Sequence, residues 1–146
     1  MPETLKIDGK MNVHIISPTH IVLDDVADKI LLPTENGDVM ILKDRAPLFV
    51  ATKPGLMWVY NIGQRPVPYY ISCGIAEIRR NICSVLAWAV EANKIDKVKI
   101  HERRLSLESE LEKFHSEAQR NQAQQRIDFL KMLETKPSLL AHPDFE

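Results

Sequence analysis

An α+β chain, with short antiparallel strands forming a β-sandwich or barrel before an amphipathic helical segment, is what this sequence predicts. Three observations carry that reading. All five Gly and seven of the nine Pro stand before position 75. Apolar residues fill 47 of the first 92 positions but only 18 of the last 54, where Gln, Glu, Lys and Arg take over. From Asp96 to Thr135 there is neither Gly nor Pro. The division therefore falls near Asn93, giving a β-sandwich domain over 1–92, a helical segment over 93–136 and a tail over 137–146.

Within the first segment, apolar or β-branched runs span 12–16, 19–23, 26–32, 39–42, 48–52, 56–62, 67–71, 75–78 and 82–87. About nine strands follow. Between them stand Ser17-Pro18, Asp24-Asp25, Glu35-Asn36-Gly37, Lys53-Pro54-Gly55, Gly63 to Pro66 and Arg79-Arg80-Asn81. Each is a turn signal, because Gly supplies positive φ, Pro presets φ, and an Asx side chain bonds to nearby backbone.

In the second segment, Asp96 is a good N-cap, and Ile100, Leu107, Leu111, Phe114 and Ala118 recur at helical spacing, with Arg104 interrupting the stripe. The phase is then lost and a new stripe begins at Ala123, Ile127 and Leu130. The spacing predicts two helices with a turn near Arg120 to Gln122, one long bent helix being the rival. Pro137 is expected to end the second helix.

Charge and chemistry narrow the function. The 146 residues carry 19 Lys+Arg against 20 Asp+Glu, a formal charge of −1, which gives no long-range attraction to nucleic acid or anionic lipid. Nothing in the chain is expected to span a bilayer or direct secretion. Glycines at 9, 37, 55, 63 and 74 are too dispersed for a phosphate-cradling loop. Two cysteines and five scattered histidines do not have structural-zinc spacing. About a turn at Asn81 or Arg80, Cys83 is expected opposite a residue near Glu77, so Cys73 and Cys83 are read as two reduced, packed or half-packed thiols. His14 and His20 could face each other across Ser17-Pro18, and Asp24, Asp25 and Asp28 could hold a cation. The plainer reading of the aspartates is a solvated turn and a charged strand edge that discourages aggregation. No nucleophile, base and oxyanion donors assemble, so a non-enzymatic chain without cofactor or metal is expected.

The punctuation nevertheless has a family likeness. Ile16-Ser17-Pro18, then Leu32-Pro33-Thr34-Glu35-Asn36-Gly37-Asp38-Val39-Met40-Ile41-Leu42, Arg45-Ala46-Pro47-Leu48 and Lys53-Pro54-Gly55-Leu56 occur in that order. They are followed by Tyr70-Ile71-Ser72-Cys73-Gly74-Ile75-Ala76-Glu77-Ile78 and by Asn81-Ile82-Cys83-Ser84-Val85-Leu86-Ala87. Over roughly residues 12–100 this resembles the epsilon subunit of F-type ATP synthases. The resemblance implies a ten-stranded antiparallel β-sandwich followed by a two-helix hairpin. It also implies a rotor role in the central stalk, with the gamma subunit and the loops of the membrane c-ring as partners. In bacterial members the hairpin can extend along the shaft and brake ATP hydrolysis against the catalytic beta subunits. The implied location is peripheral, at the cytoplasmic face of the bacterial inner membrane.

Residue by residue, the resemblance places c-ring contacts at Asp38 and Arg45. Arg45 stands where the family commonly has His, and its permanent charge favours a carboxylate or carbonyl partner. A nucleotide contact, with ATP as regulatory ligand, would map to Ile95, Asp96 and Lys99. Here Lys replaces Arg, and Asp96 as an N-cap needs no ligand. An inhibitory basic face would draw on Arg103, Arg104, Arg120, Arg126 and Lys131, although residues 93–146 hold ten cations and ten anions and read equally as a solvated helix surface. The competing functional classes are a free β-sandwich interaction module whose helical tail docks another coiled coil, and a small enzyme using the sandwich mouth.

Overall fold

The computed structural model describes residues 9–135, which divide between Ala92 and Asn93 into two compact units. The tail expected over 137–146 and the stop at Pro137 lie outside the described residues. In the first unit ten strands follow one another: β1 Met11–Ile16, β2 Ile21–Ala27, β3 Lys29–Thr34, β4 Gly37–Leu42, β5 Leu48–Thr52, β6 Gly55–Tyr60, β7 Val67–Ile71, β8 Gly74–Arg79, β9 Ile82–Leu86 and β10 Ala89–Glu91.

The strands form two five-stranded layers, β4-β3-β6-β7-β10 and β5-β8-β9-β1-β2, joined where β3 meets β5 at Thr34 opposite Thr52. Every pair is antiparallel except β1 with β9, which run parallel. Period-two alternation sends Val13 and Ile15 of β1, Ile30 and Leu32 of β3, Met57 and Val59 of β6, Ala76 and Ile78 of β8, and Cys83 and Val85 of β9 into one shared core. Each larger side chain buried there stabilises the fold by about 1.5–3 kcal/mol relative to exposure.

Asp24-Asp25 is not a turn. β2 runs straight through it, with Val13 opposite Asp25 and Met11 opposite the fully buried Ala27. Extending the hairpin to that core contact outweighs local turn propensity, and β2 is a sheet edge where exposed carboxylates are tolerated. The corner falls at Asp28, whose carboxylate accepts from the Ile62 amide at 2.6 Å and pairs with Lys10 Nζ at 3.4 Å. The run expected over 26–32 is thereby split between β2 and β3.

At the β8–β9 turn, Arg80 and Asn81 adopt φ of 53° and 61°, the left-handed pair that a two-residue hairpin requires. Cys83 consequently stands opposite Ile78, one position beyond the expected Glu77. Cys83 is packed in the core as expected, but Cys73, in the β7–β8 connection, is exposed rather than packed, and neither thiol is in a disulfide. Gly74 is required by close approach: a Cβ there would overlap the Leu86 carbonyl oxygen and lie 2.8 Å from Ala87 Cβ.

The second unit opens with a 3-10 turn, Ala92–Lys94, and contains α1 Lys97–Leu111 and α2 Glu117–Thr135. Asp96 caps α1 by accepting from the Val98 and Lys99 amides at 3.1 and 3.3 Å. The connection spans 112–116 rather than 120–122. Lys113 N donates to Glu110 O, so the last turn of α1 tightens and stops at a site with no breaker residue. Arg120 lies in the first turns of α2, where its Nε donates to Phe114 O at 2.8 Å and braces the connection.

Two expected outcomes test this fold. A thiol reagent labels one cysteine per native molecule, Cys73, because burial pushes the Cys83 thiol up to about 12. Two label in denaturant, as counted by mass spectrometry. Gly74→Ala lowers the stability of the sandwich by about 1–3 kcal/mol through forced displacement of β9, read from its denaturant midpoint.

Candidate interaction surfaces

Strand register builds the first surface. Across the β5-β8-β9-β1-β2 layer, Ala51 stands opposite Ile75, Ile75 opposite Leu86, Leu86 beside Ile16, and Ile16 opposite Ile21. These five apolar residues form one row over five strands, about 19 Å at the usual strand spacing. They face away from the core, with Ile75 43%, Leu86 52% and Ile21 52% exposed. Phe49, 72% exposed, extends the row along β5, opposite Glu77. Isolated apolar side chains on a surface mean little, but a contiguous row has the chemistry of a docking face. Sequence reading missed this row because its members lie on five strands. The available signal was that Leu48 to Val50 is apolar on both faces of β5.

Asp38 and Arg45, mapped by resemblance to a c-ring contact, stand toward opposite ends of β4, Asp38 within the strand and Arg45 beyond it. Asp38 follows Gly37 in β4, opposite Pro33, and the four steps from there to Leu42 already cover about 13 Å. Arg45 belongs to the β4–β5 loop, and its Nη1 donates to Ala46 O at 3.2 Å. That loop is held by a reciprocal clasp: Asp44 N donates to Asn81 Oδ1 at 2.6 Å, and Asn81 Nδ2 donates to Asp44 Oδ1 at 3.1 Å.

The histidine pair considered from sequence does not form. His14 faces β2 and its Nδ1 lies 2.9 Å from Asp24 Oδ1, whereas His20 Nδ1 contacts Thr19 Oγ1 and Ser17 Oγ within its own turn. Among the described residues no group of three or more His, Cys, Asp or Glu is placed to hold a metal.

In the helical unit, Arg104 explains the break in the α1 stripe. It sits between the buried Ile100 and Leu107 and reaches α2, where its Nε donates to Glu134 Oε1 and Oε2 at 3.0 and 3.1 Å. Its Nη1 donates to Glu108 at 3.0 Å. The Arg104 hydrogen bond, supported by His101, holds the Glu134 carboxyl below its ordinary range, and Glu134 with Glu108 raises the guanidinium. Lys131 Nζ lies 3.8 Å from Glu108. Burial lowers the Arg126 guanidinium, and the Arg103 charge adds to the effect. Of the five cations mapped to a basic face, Arg104 and Lys131 therefore meet carboxylates within the hairpin, Arg120 braces its connection, and Arg103 is exposed. At the start of α1, Asp96 and Lys99 are exposed and Ile95 is half-buried, with Asp96 Oδ1 engaged as the cap.

Two five-stranded layers carrying an exposed apolar row, with an antiparallel helix pair bridged by ion pairs, define a β-sandwich protein with a helical hairpin. Residues 10–93 match the family model described as ATP synthase, Delta/Epsilon chain, beta-sandwich domain. The chain belongs to the ATP synthase delta/epsilon family. It is 35% identical over 81 residues to the "ATP synthase epsilon chain" of Gloeobacter violaceus, which covers 56% of this chain and 61% of that relative. It is 30% identical over 102 residues to the "ATP synthase epsilon chain 1" of Methylococcus capsulatus, covering 69% and 73%. The matched stretch thus falls short of two thirds of the Gloeobacter relative's length. In fold it is similar to a chain of the Euglena gracilis mitochondrial ATP synthase OSCP/F1/c-ring assembly, with TM-score 0.59, 20% identity, and coverage of 92% and 88%.

The hairpin latch has a definite pH signature. Because folding lowers the Glu134 carboxyl, its stabilising contribution is complete above the ordinary value of 4.5 and is lost as pH falls below it. Glu134→Gln removes that pH dependence and speeds hydrogen exchange of α2 amides several-fold at neutral pH, measured residue by residue by NMR.

Proposed function

We propose that this chain is the non-catalytic epsilon subunit of a rotary ATP synthase, coupling the gamma shaft to the c-ring, peripheral to the membrane. The observation that carries the reading is the apolar row Ala51, Ile75, Leu86, Ile16 and Ile21 on a closed sandwich. A rigid β-body with such a face can transmit torque through a dry protein contact without forming or breaking a covalent bond. Membership of the delta/epsilon family supports gamma as the subunit that covers the row. Asp38, near the start of β4, and Arg45, in the β4–β5 loop, are the proposed ring contacts, far enough apart that they would engage different ring subunits or different parts of one.

The hairpin would act as a brake on hydrolysis by presenting Arg103, Arg104, Arg120, Arg126 and Lys131 to catalytic beta subunits. Arg104 and Lys131 would have to leave Glu134 and Glu108 to do so, which makes the latch the opposing equilibrium. ATP as a ligand of Ile95, Asp96 and Lys99 would have to coexist with the Asp96 cap, and the cap uses only Oδ1. The proposed location is the cytoplasmic face of a bacterial inner membrane.

Binding to a purified gamma subunit tests the central claim. Phe49→Ser with Leu86→Ser is expected to weaken that complex tenfold or more while leaving the sandwich folded, since buried aromatic and aliphatic anchors dominate such interfaces. Undiminished binding would sink the assignment of the face. For the brake, truncation after Asn93 is expected to preserve assembly and raise ATP hydrolysis. Unchanged hydrolysis would leave coupling as the sole role.

A further inference from the structure

The loops of the sandwich do not share its charge evenly. The β4–β5 loop, the β6–β7 loop and the β8–β9 turn all emerge at one end of the strands, because Leu48 stands opposite Ile78, Lys29 opposite both Leu42 and Tyr60, and Arg79 opposite Ile82. That end carries Lys43, Arg45, Arg65, Arg79 and Arg80, none in an ion pair with another described residue. The two carboxylates in its loops are engaged, Asp28 with Lys10 and the Ile62 amide, and Asp44 with Asn81, while Glu77 is exposed on β8 two positions before Arg79. The other end holds Glu35 and Lys53 in its turns, with Asp38 beside them. A six-residue strand separates the ends by about 20 Å, more than two Debye lengths at physiological salt, so the basic end presents its own field although the whole chain carries −1.

A second feature tells what the field is for. At the tip of the β6–β7 loop, three residues from Arg65, Ile62 is 88% exposed, the most exposed large apolar side chain among the described residues. Leu42, next to Lys43, is 54% exposed. A purely acidic surface would answer the cations but would leave Ile62 without an apolar partner. A layer of anionic headgroups over acyl chains answers both, by attracting Lys and Arg and admitting a protruding aliphatic side chain. The Asp44–Asn81 clasp fixes two of the basic loops against each other, so little order has to be gained on contact.

We infer that this end of the sandwich is a peripheral contact site for an anionic lipid surface, with Ile62 entering the interface and Lys43, Arg65, Arg79 and Arg80 meeting the headgroups. The inference stands on the sandwich alone and does not require gamma or a ring.

Flotation of the intact chain with vesicles tests it. Vesicles of phosphatidylcholine with about one-third phosphatidylglycerol are expected to carry the chain at low salt and to release it at about 0.5 M NaCl, where charge attraction is screened. Pure phosphatidylcholine vesicles carry none. A Lys43→Gln, Arg65→Gln, Arg79→Gln variant binds about a hundredfold more weakly, from about fivefold per cation. Ile62→Ser weakens binding several-fold and leaves the salt of release unchanged. Equal recovery on both vesicle types overturns the inference. So does undiminished binding of the triple variant, or capture by a soluble polyglutamate peptide with no recovery on vesicles, which would assign the basic end to an acidic protein instead. The salt titration needs no variant, so misfolding of a variant leaves the test intact. Gamma binding by the same variants separates this outcome from the stalk assignment, since the apolar row is untouched.

Discussion

Everything the sandwich presents outward depends on one constraint, the transfer of β3 from one layer to the other. It pairs with β4 and β6 along most of its length and reaches β5 only through Thr34 and Thr52. Both threonines are almost wholly buried, and buried hydroxyls are costly unless bonded. Thr34 Oγ1 donates to Gly37 O at 2.5 Å, Thr52 Oγ1 donates to Ser72 O, and Ser72 Oγ accepts from Trp88 N. These bonds tie the β3–β4, β5–β6, β7–β8 and β9–β10 connections into one end of the body. The layers therefore keep a single register around their shared core.

That register decides which residues are public. Side chains alternate along a strand, so a slip of one position on β8 or β9 would bury Ile75 or Leu86 and expose Ala76 or Val85. The apolar row exists because five separate strands agree in phase. The single parallel pair, β1 with β9, is part of that agreement, since it brings Ile16 beside Leu86 and carries the row on to the edge strand.

The helical unit handles charge in the opposite way to the basic end of the sandwich. There, cations are left facing solvent while the carboxylates in the same loops are occupied locally. In the hairpin, cations and carboxylates are matched across the helix pair, with Arg104 linking Glu134 and Glu108 between apolar contacts. A guanidinium placed so holds two helices in register, because it offers several donors in a fixed fork.

Much of the first unit was legible in the amino-acid order. Gly, Pro and Asx residues mark most of its turns, and period-two alternation marks the core faces, since both act over a few neighbouring residues. The break near Asn93 and the Asp96 cap are local for the same reason. Other features required the tertiary structure. Asp24-Asp25 has the composition of a turn but continues as strand because Ala27 gains a core position opposite Met11 at the far end of the hairpin. Residues 112–116 reverse the chain without Gly or Pro, and Arg104, which looked like a flaw in an apolar stripe, proves to be its link to α2. A sequence determines local conformational preference and pattern. Which outward residues become neighbours is set by pairing between segments far apart in the chain, and so the apolar row and the basic end became visible only in the folded protein.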